Sequence, residues 1–449
     1  MTDNNQAAAP RPVLDLKDSV ALIVGIIVGA GIFKAPSLVA EFSGTPEIMM
    51  AAWVLGGIIS MLGALCYAEL AASRPNAGGE YHFLEQAFGG DVARLFAWAR
   101  MTVIASGSIA IFAFVFADYA SQVFRMGEYS SAIYAAGLII VLTLINIVGI
   151  NAGKFTQNWL TLVEVTGLVA IIIAGFFFAS PDPALAAEAA AKPSSGPDAG
   201  MLGLAMVFVL LTYGGWNDAA YLSAEIKDGN RNIARSLLIG LGIVTALYLL
   251  VSLAYLSGLG IAGMAKSDAV ASDLLNRAWG PLGGQLIAVF VAVAAITSAN
   301  ATILTGARTG YALGRDWSLF RLLGAWDGER GTPRNAMIAQ CAISLALVVL
   351  GASSKDGFKY MVEYTSPVFW LFFFLTGMSL FIFRRWEPNA PRPFKVPFYP
   401  VTPLLFCGVC IYMLYASLAY TGLGAMGGVG VLFVGVLLLL IDKRGQESR

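Results

Sequence analysis

The chain has 449 residues, 58% of them hydrophobic and only 12% charged, with a formal net charge of zero and a mean hydropathy of +0.73. That little charge cannot cover the surface of a soluble protein of this length. No basic patch with interleaved aromatic residues points to nucleic acid.

Apolar runs long enough to cross a bilayer recur at 18–41, 46–72, 92–124, 131–150, 157–179, 201–222, 235–260, 284–312, 336–352, 360–383, 398–420 and 423–441. They predict an all-α membrane protein with twelve transmembrane helices. The first run follows a polar stretch, Met1 to Pro12, and is too long for the core of a cleaved signal peptide. With the N-terminus inside, about three quarters of the 28 Lys and Arg residues fall on the cytoplasmic side. Lys34, Arg125, Lys192, Lys266, Arg277, Lys355 and Lys359 remain outside. The expected location is the cytoplasmic membrane, with both termini in the cytoplasm.

The first run carries "VGAGIF", with Gly29 and Gly31 around Ala30 halfway along it. Backbone at membrane depth must be hydrogen-bonded internally, so a helix break is tolerated only where it lines a protected cavity. A break after Gly29 starts a half-helix near Ile32 whose free N–H groups suit a carboxylate. The half-helix ending near Ile26 and Ile27 offers carbonyls to an ammonium. A Pro- and Ala-rich outer loop, 180–200, separates two blocks of five spans. The opening span of the second block carries "LLTYGGWND", Leu210 to Asp218, with a second glycine pair, Gly214 and Gly215. Paired glycine interruptions in two blocks of odd span number are the trace of an inverted repeat and point to a binding site. The expected division is a tail 1–17, one membrane domain 18–441 and a tail 442–449. Within the domain the repeats are 18–179 and 200–383, with the last two spans, 398–441, outside them.

"VGAGIFKAP" resembles the first-span signature of the amino acid–polyamine–organocation transporters. "LCYAELAASRPNAGGEYHFLEQAFG" (65–89) is similar to the second span and following loop of that superfamily. "YGGWN" (213–217) and "RWEPNAPRPFKVPFYP" (385–400) are similar to its L-type amino acid transporter branch. The resemblance implies a LeuT-type 5+5 inverted repeat with discontinuous helices 1 and 6, and alternating access. It places the substrate carboxylate on the amides of Gly29, Ala30 and Gly31. The amine meets carbonyls of Ile26 or Ile27 and of Leu211 to Gly214, with Asn217 beside the substrate. The family's hydroxyl residue between the glycines is Ala30 here, so carboxylate binding rests on backbone. Its aromatic gate aligns with Leu211, so either Tyr213 stands in for the lid or the pocket admits a bulkier side chain.

Glu164 lies inside the fifth span, and ionisable residues at that depth are costly and functional by default. Gln157, Thr161, Glu164 and Gly167 or Leu168 share a helical stripe. In sodium-independent relatives this position resembles one held by a lysine, so the sign is reversed here. Glu164 is expected to bind sodium together with Thr297 and Ser298, to take up a proton and drive symport, or to pair with a fixed Arg or Lys. Ser298, Thr302, Thr305 and Thr309 share a stripe of the eighth span, where hydroxyls can also just satisfy backbone carbonyls. Lys34 is expected to snorkel outward or to meet Glu164 or an acidic substrate. Asp218 and Glu225 are expected as inner-gate partners of Arg100 or Lys227.

The expected function is secondary active transport of amino acids, most of all neutral L-amino acids, as symporter or exchanger. The alternative is a carrier of cationic amino acids or polyamines. A membrane-embedded enzyme would need clustered His, Asp or Cys at one depth, and the single His82 and scattered Cys66, Cys341, Cys407 and Cys410 supply none. A channel would need a continuous polar lining. No metal site or bound cofactor is expected beyond a coupling ion, sodium or proton. The expected partners are the amino acid substrate and the lipid bilayer. No cysteine lies in an outer loop, so no disulfide-linked partner subunit is expected.

Overall fold

A computed structural model of the chain describes residues 15–76, 78–148, 154–185, 198–218, 227, 229–327, 332–354 and 356–447. Most of the 180–200 loop and Glu225 lie outside the described residues, and nothing is described of the side chains of Gln157 and Thr161.

The first apolar run is not one helix. Helix α1 (Leu16–Ile27) opens on a capping box: Asp15 accepts from the Asp18 N–H at 2.8 Å and the Asp18 carboxylate receives the Asp15 N–H at 3.3 Å. It ends at Val28, and a single 3-10 turn spans Ala30–Phe33. Lys34 interrupts again before α2 (Ala35–Ser43), which carries Pro36 in its first turn, where a missing N–H costs nothing. The expected restart near Ile32 therefore divides in two: a turn beginning at Ala30 and an α-helix beginning at Ala35.

The remaining helices are α3 (Pro46–Ser73), α4 (Glu80–Phe88), α5 (Gly90–Val123), α6 (Ser130–Val148), α7 (Lys154–Phe177) and α8 (Ala199–Thr212). Then come α9 (Gly229–Ala265), α10 (Val270–Trp279), α11 (Pro281–Asp316), α12 (Arg334–Ala352), α13 (Gly357–Trp386), α14 (Val401–Ala419) and α15 (Leu423–Glu447). Helix α5 contains a π-helical stretch, Arg100–Ala105. Among the described residues nine helices are long and apolar enough to cross a membrane: α3, α5, α6, α9 and α11 to α15. The broken first segment and the 14-residue α8 are too short on their own, since a helix rises about 1.5 Å per residue.

Small residues bring the long helices together. A Cβ on Gly306 of α11 would lie 2.9 Å from Ala105 of α5, and one on Gly57 of α3 would lie 2.7 Å from Thr245 of α9. Such close approach is the main attraction between helices in lipid, where apolar side chains gain nothing by leaving the solvent. Helix α1 packs on α9, and α2 packs on α8 and α9. The 3-10 turn touches α5, α8 and α11, at the centre of the bundle. Outer faces stay apolar: Val141, Leu144 and Val148 of α6 and Phe433 and Leu437 of α15 are exposed, as lipid contact requires.

Candidate functional site

The two glycine-bearing interruptions meet. Helix α8 ends at Thr212, and Tyr213 to Gly215 turn away from it. Gly215 has φ +108°, a left-handed conformation that only glycine adopts without strain. A Cβ built there would lie 3.0 Å from the carbonyl oxygen of Ile26, so the turn touches the end of α1 backbone to backbone. On the other side of the first break, a Cβ on Gly31 would lie 3.5 Å from the Thr212 side chain. Gly29 faces α11, with the Ser298 hydroxyl 3.3 Å from where its Cβ would be. The sequence-derived residues Ile26, Gly29, Gly31, Gly214 and Ser298 are thus brought to one place, around Thr212 and Gly215.

Exposure alternates along the break. Ile26, Gly29, Gly31, Leu211, Gly214 and Gly215 keep part of their surface accessible, whereas Ile27, Ala30, Thr212, Tyr213 and Asn217 are buried. The Gly29 N–H donates no hydrogen bond among the described residues. Ala30 and Gly31 open a helical turn, where amides lack a partner within the turn. These amides can receive an anion.

The carbonyls at the ends of α1 and α8 are joined by a side chain that sequence reasoning did not single out. Tyr248 of α9, fully buried, donates its hydroxyl to the Ile27 carbonyl at 3.0 Å and lies 3.2 Å from the Thr212 carbonyl. Its ring packs 5.2 Å from that of Tyr213 and 5.9 Å from Trp53. A lone tyrosine in an apolar run carries no signal that would have flagged it.

Of the two alternatives for the pocket, Tyr213 as a lid or room for a bulkier side chain, the structure does not present the first. The Tyr213 ring is buried in the core, and its hydroxyl donates to the Trp53 carbonyl at 3.1 Å. In this structure Tyr213 brings only its backbone to the break. Leu211 remains at the partly exposed edge. Asn217 is buried with its amide 3.4 Å from Asp218.

Lys34 neither snorkels outward nor meets Glu164. Its side chain is 4% exposed, with Nζ 2.9 Å from an Asp118 carboxylate oxygen of α5 and 2.9 Å from the Asp268 carbonyl. Asp118 also accepts from the Ser131 hydroxyl at 3.1 Å. Beside it, Tyr119 donates to the Phe33 carbonyl at 2.6 Å and accepts from the Ala271 N–H at 3.3 Å. Burial of the cation follows from this ready partner. Asp118 sits in the apolar "FVFADYASQV" stretch, where the charge itself was the available signal.

Arg100 of the π-helical stretch lies 3.5 Å from Asp218, so the two residues expected as partners do meet. It also meets Glu80 of α4 at 3.2 Å, which in turn accepts from the Tyr67 hydroxyl at 2.6 Å. Glu80 was missed although it lies in the 65–89 stretch.

Glu164 of α7 is 5% exposed and makes no hydrogen bond or ion pair among the described residues. The third expectation for it, a fixed Arg or Lys partner, is not met there. On α11, Thr297 donates to the Val293 carbonyl at 3.0 Å, Thr302 to Ser298 at 2.8 Å, Thr305 to Ala301 at 3.0 Å and Thr309 to Thr305 at 3.3 Å. That stripe of threonines serves its own helix. Ser298, facing Gly29, is the hydroxyl left at the break.

The profile of a family described as amino acid permease matches residues 14–441. The chain is similar to the b(0,+)-type amino acid transporter 1 of Mus musculus, 30% identical over 407 residues, covering 90% of this chain and 82% of that protein. The Homo sapiens protein of the same name is 30% identical over 409 residues, with the same coverage. The large neutral amino acids transporter small subunit 2 of Mus musculus is 29% identical over 445 residues, covering 95% of this chain and 82% of the relative.

Proposed function

The chain belongs to the amino acid permease family, and on that premise we propose that it moves amino acids, most of all neutral L-amino acids, across the cytoplasmic membrane by alternating access, as symporter or exchanger. It is a multi-pass membrane protein of a transporter family and not an enzyme. The observation that carries the proposal is the contact of two interrupted helical segments, with Gly215 against the Ile26 carbonyl and Gly31 against Thr212. Amides of Gly29, Ala30 and Gly31 receive the carboxylate. Carbonyls of Ile26 or Ile27 and of Leu211 to Gly214 receive the ammonium. A zwitterion binds because both its charges meet backbone dipoles already desolvated and aimed.

The nine long spans, the broken first segment, α7 and the α8 segment are read as twelve crossings. They form two inverted repeats of five, 18–179 and 200–383, plus the last two helices, with both termini in the cytoplasm. The Lys34–Asp118 pair, which follows the first break, and the Arg100–Asp218 pair, which follows the second, are read as the outer and inner closures of the site. Glu164, with Thr297 and Ser298 on α11, is the candidate for ion coupling by sodium or proton. The name of one relative speaks of a small subunit. For this chain no disulfide-linked partner is proposed, because Cys66, Cys341, Cys407 and Cys410 all lie within apolar helices.

Uptake into proteoliposomes with a panel of labelled amino acids tests the reading. Saturable, counterflow-stimulated uptake of neutral amino acids is expected; no saturable uptake of any amino acid would overturn it. The second reading, a cationic amino acid or polyamine as substrate, draws on Glu164 being buried without a cation among the described residues. Preference for lysine, arginine or putrescine in the same panel would select it.

A further inference from the structure

Between α13 and α14 the chain folds into a basic pocket far along the sequence from the helix breaks. A cavity of about 590 Å³ is lined there by Phe381, Arg384, Arg385, Arg392, Lys395 and Tyr399. Its floor is fixed. Arg384 donates from Nε at 2.8 Å and from its terminal nitrogen at 2.5 Å to the two oxygens of Glu69, and lies 3.8 Å over the Tyr399 ring. Glu69, 3% exposed on α3, also accepts the Val396 N–H at 2.6 Å and lies 3.6 Å from Arg392. Arg392 further donates to the Phe383 and Glu387 carbonyls at 3.1 and 2.7 Å.

One buried carboxylate is therefore shared by two arginines beneath the cavity. Arg385 and Lys395 are exposed at its rim and make no hydrogen bond or ion pair among the described residues. Two arginines on Glu69 and two more cations at the rim leave a positive cavity with planar guanidinium donors, the arrangement that receives phosphate oxygens.

We propose that this pocket binds a phosphate group, carried by an anionic lipid or present as free inorganic phosphate. The surroundings favour the lipid. Trp386 is 63% exposed and Phe398 84% exposed beside the pocket, and Val401, Leu404 and Leu405 at the start of α14 are exposed as well. Exposed aromatics mark headgroup depth, and basic pockets at the cytoplasmic ends of membrane helices take anionic headgroups. The site is separate from the helix breaks and does not depend on which amino acid is carried.

The test uses the full chain purified in detergent, with phosphatidylglycerol, phosphatidylcholine of the same acyl chains, and inorganic phosphate as probes, each read by binding titration and thermal unfolding. Phosphatidylglycerol is expected to bind and raise the melting temperature, and phosphatidylcholine not to. In Arg385→Gln/Lys395→Gln, phosphatidylglycerol should bind about 30-fold more weakly, from the usual contribution of each basic side chain near an anionic surface. Lys395→Gln alone, in an exposed loop, should cost about fivefold and decides the matter if the double variant does not fold. Competition by inorganic phosphate assigns the site to phosphate itself; no competition assigns it to the lipid headgroup. Equal binding of the two lipids, or unaltered phosphatidylglycerol affinity in the variants, overturns the proposal.

Discussion

The Tyr248 hydroxyl lies 3.0 Å from the Ile27 carbonyl and 3.2 Å from that of Thr212, so one buried side chain of α9 holds the ends of both interrupted segments. Removing it takes away the single hydroxyl proton that the two carbonyls share, which costs about 1–3 kcal/mol. Tyr248→Phe is expected to melt at a lower temperature and to transport roughly tenfold less efficiently. Thermal unfolding and initial uptake rates check this. Unchanged transport would show that the hydroxyl does not position the breaks.

A side chain at Gly215 is strained. A methyl group there would sit 3.0 Å from the Ile26 oxygen, on a backbone at φ +108°. Gly137 of α6 has nothing within 4 Å of its would-be Cβ. Gly215→Ala is expected to abolish substrate-induced thermal stabilisation, and Gly137→Ala to retain it. Equal behaviour of the two variants would remove the case for a tight contact between the breaks.

Breaking a buried ion pair by removing one partner costs about 3–5 kcal/mol, because a charge is left uncompensated. Lys34→Met is therefore expected to destabilise the protein strongly. Lys34→Met/Asp118→Asn should recover much of the loss while leaving the outer closure weaker. A double-mutant cycle on the melting temperature, with accessibility of a cysteine placed beside the pair, measures both effects. Additive losses would mean that the two side chains do not interact.

Glu164→Gln keeps the shape of the side chain and removes its charge. If Glu164 couples transport to sodium or protons, the variant should lose stimulation by that gradient while retaining substrate exchange. Uptake with and without sodium, and with and without a pH gradient, reads this directly. A variant that matches the parent under every gradient has no coupling role at Glu164.

The interruptions were readable because glycine in a membrane helix is a local anomaly, and the 65–89 and 385–400 stretches because their order of residue types is distinctive. Arg100 and Asp218 were readable as partners because both are charged residues near the same membrane boundary. Lys34 was misjudged: snorkelling is the fate of a lysine with no buried partner, and Asp118 comes from a helix 84 positions later. Which way the Tyr213 ring turns is not written in its place beside the glycines.

Sequence alone determined what depends on neighbours along the chain: the apolar runs, their α-helical character, and an interruption at each glycine pair, Gly29 with Gly31 and Gly214 with Gly215. Solvation by lipid and the satisfaction of each backbone group act within one segment, so they are written locally. Only the tertiary structure decided which groups converge there. Tyr248 reaches Ile27 across 221 residues, and Ser298 reaches Gly29 from another helix. Those meetings follow from how small residues let particular helix faces approach, a property of pairs of helices that no single stretch contains.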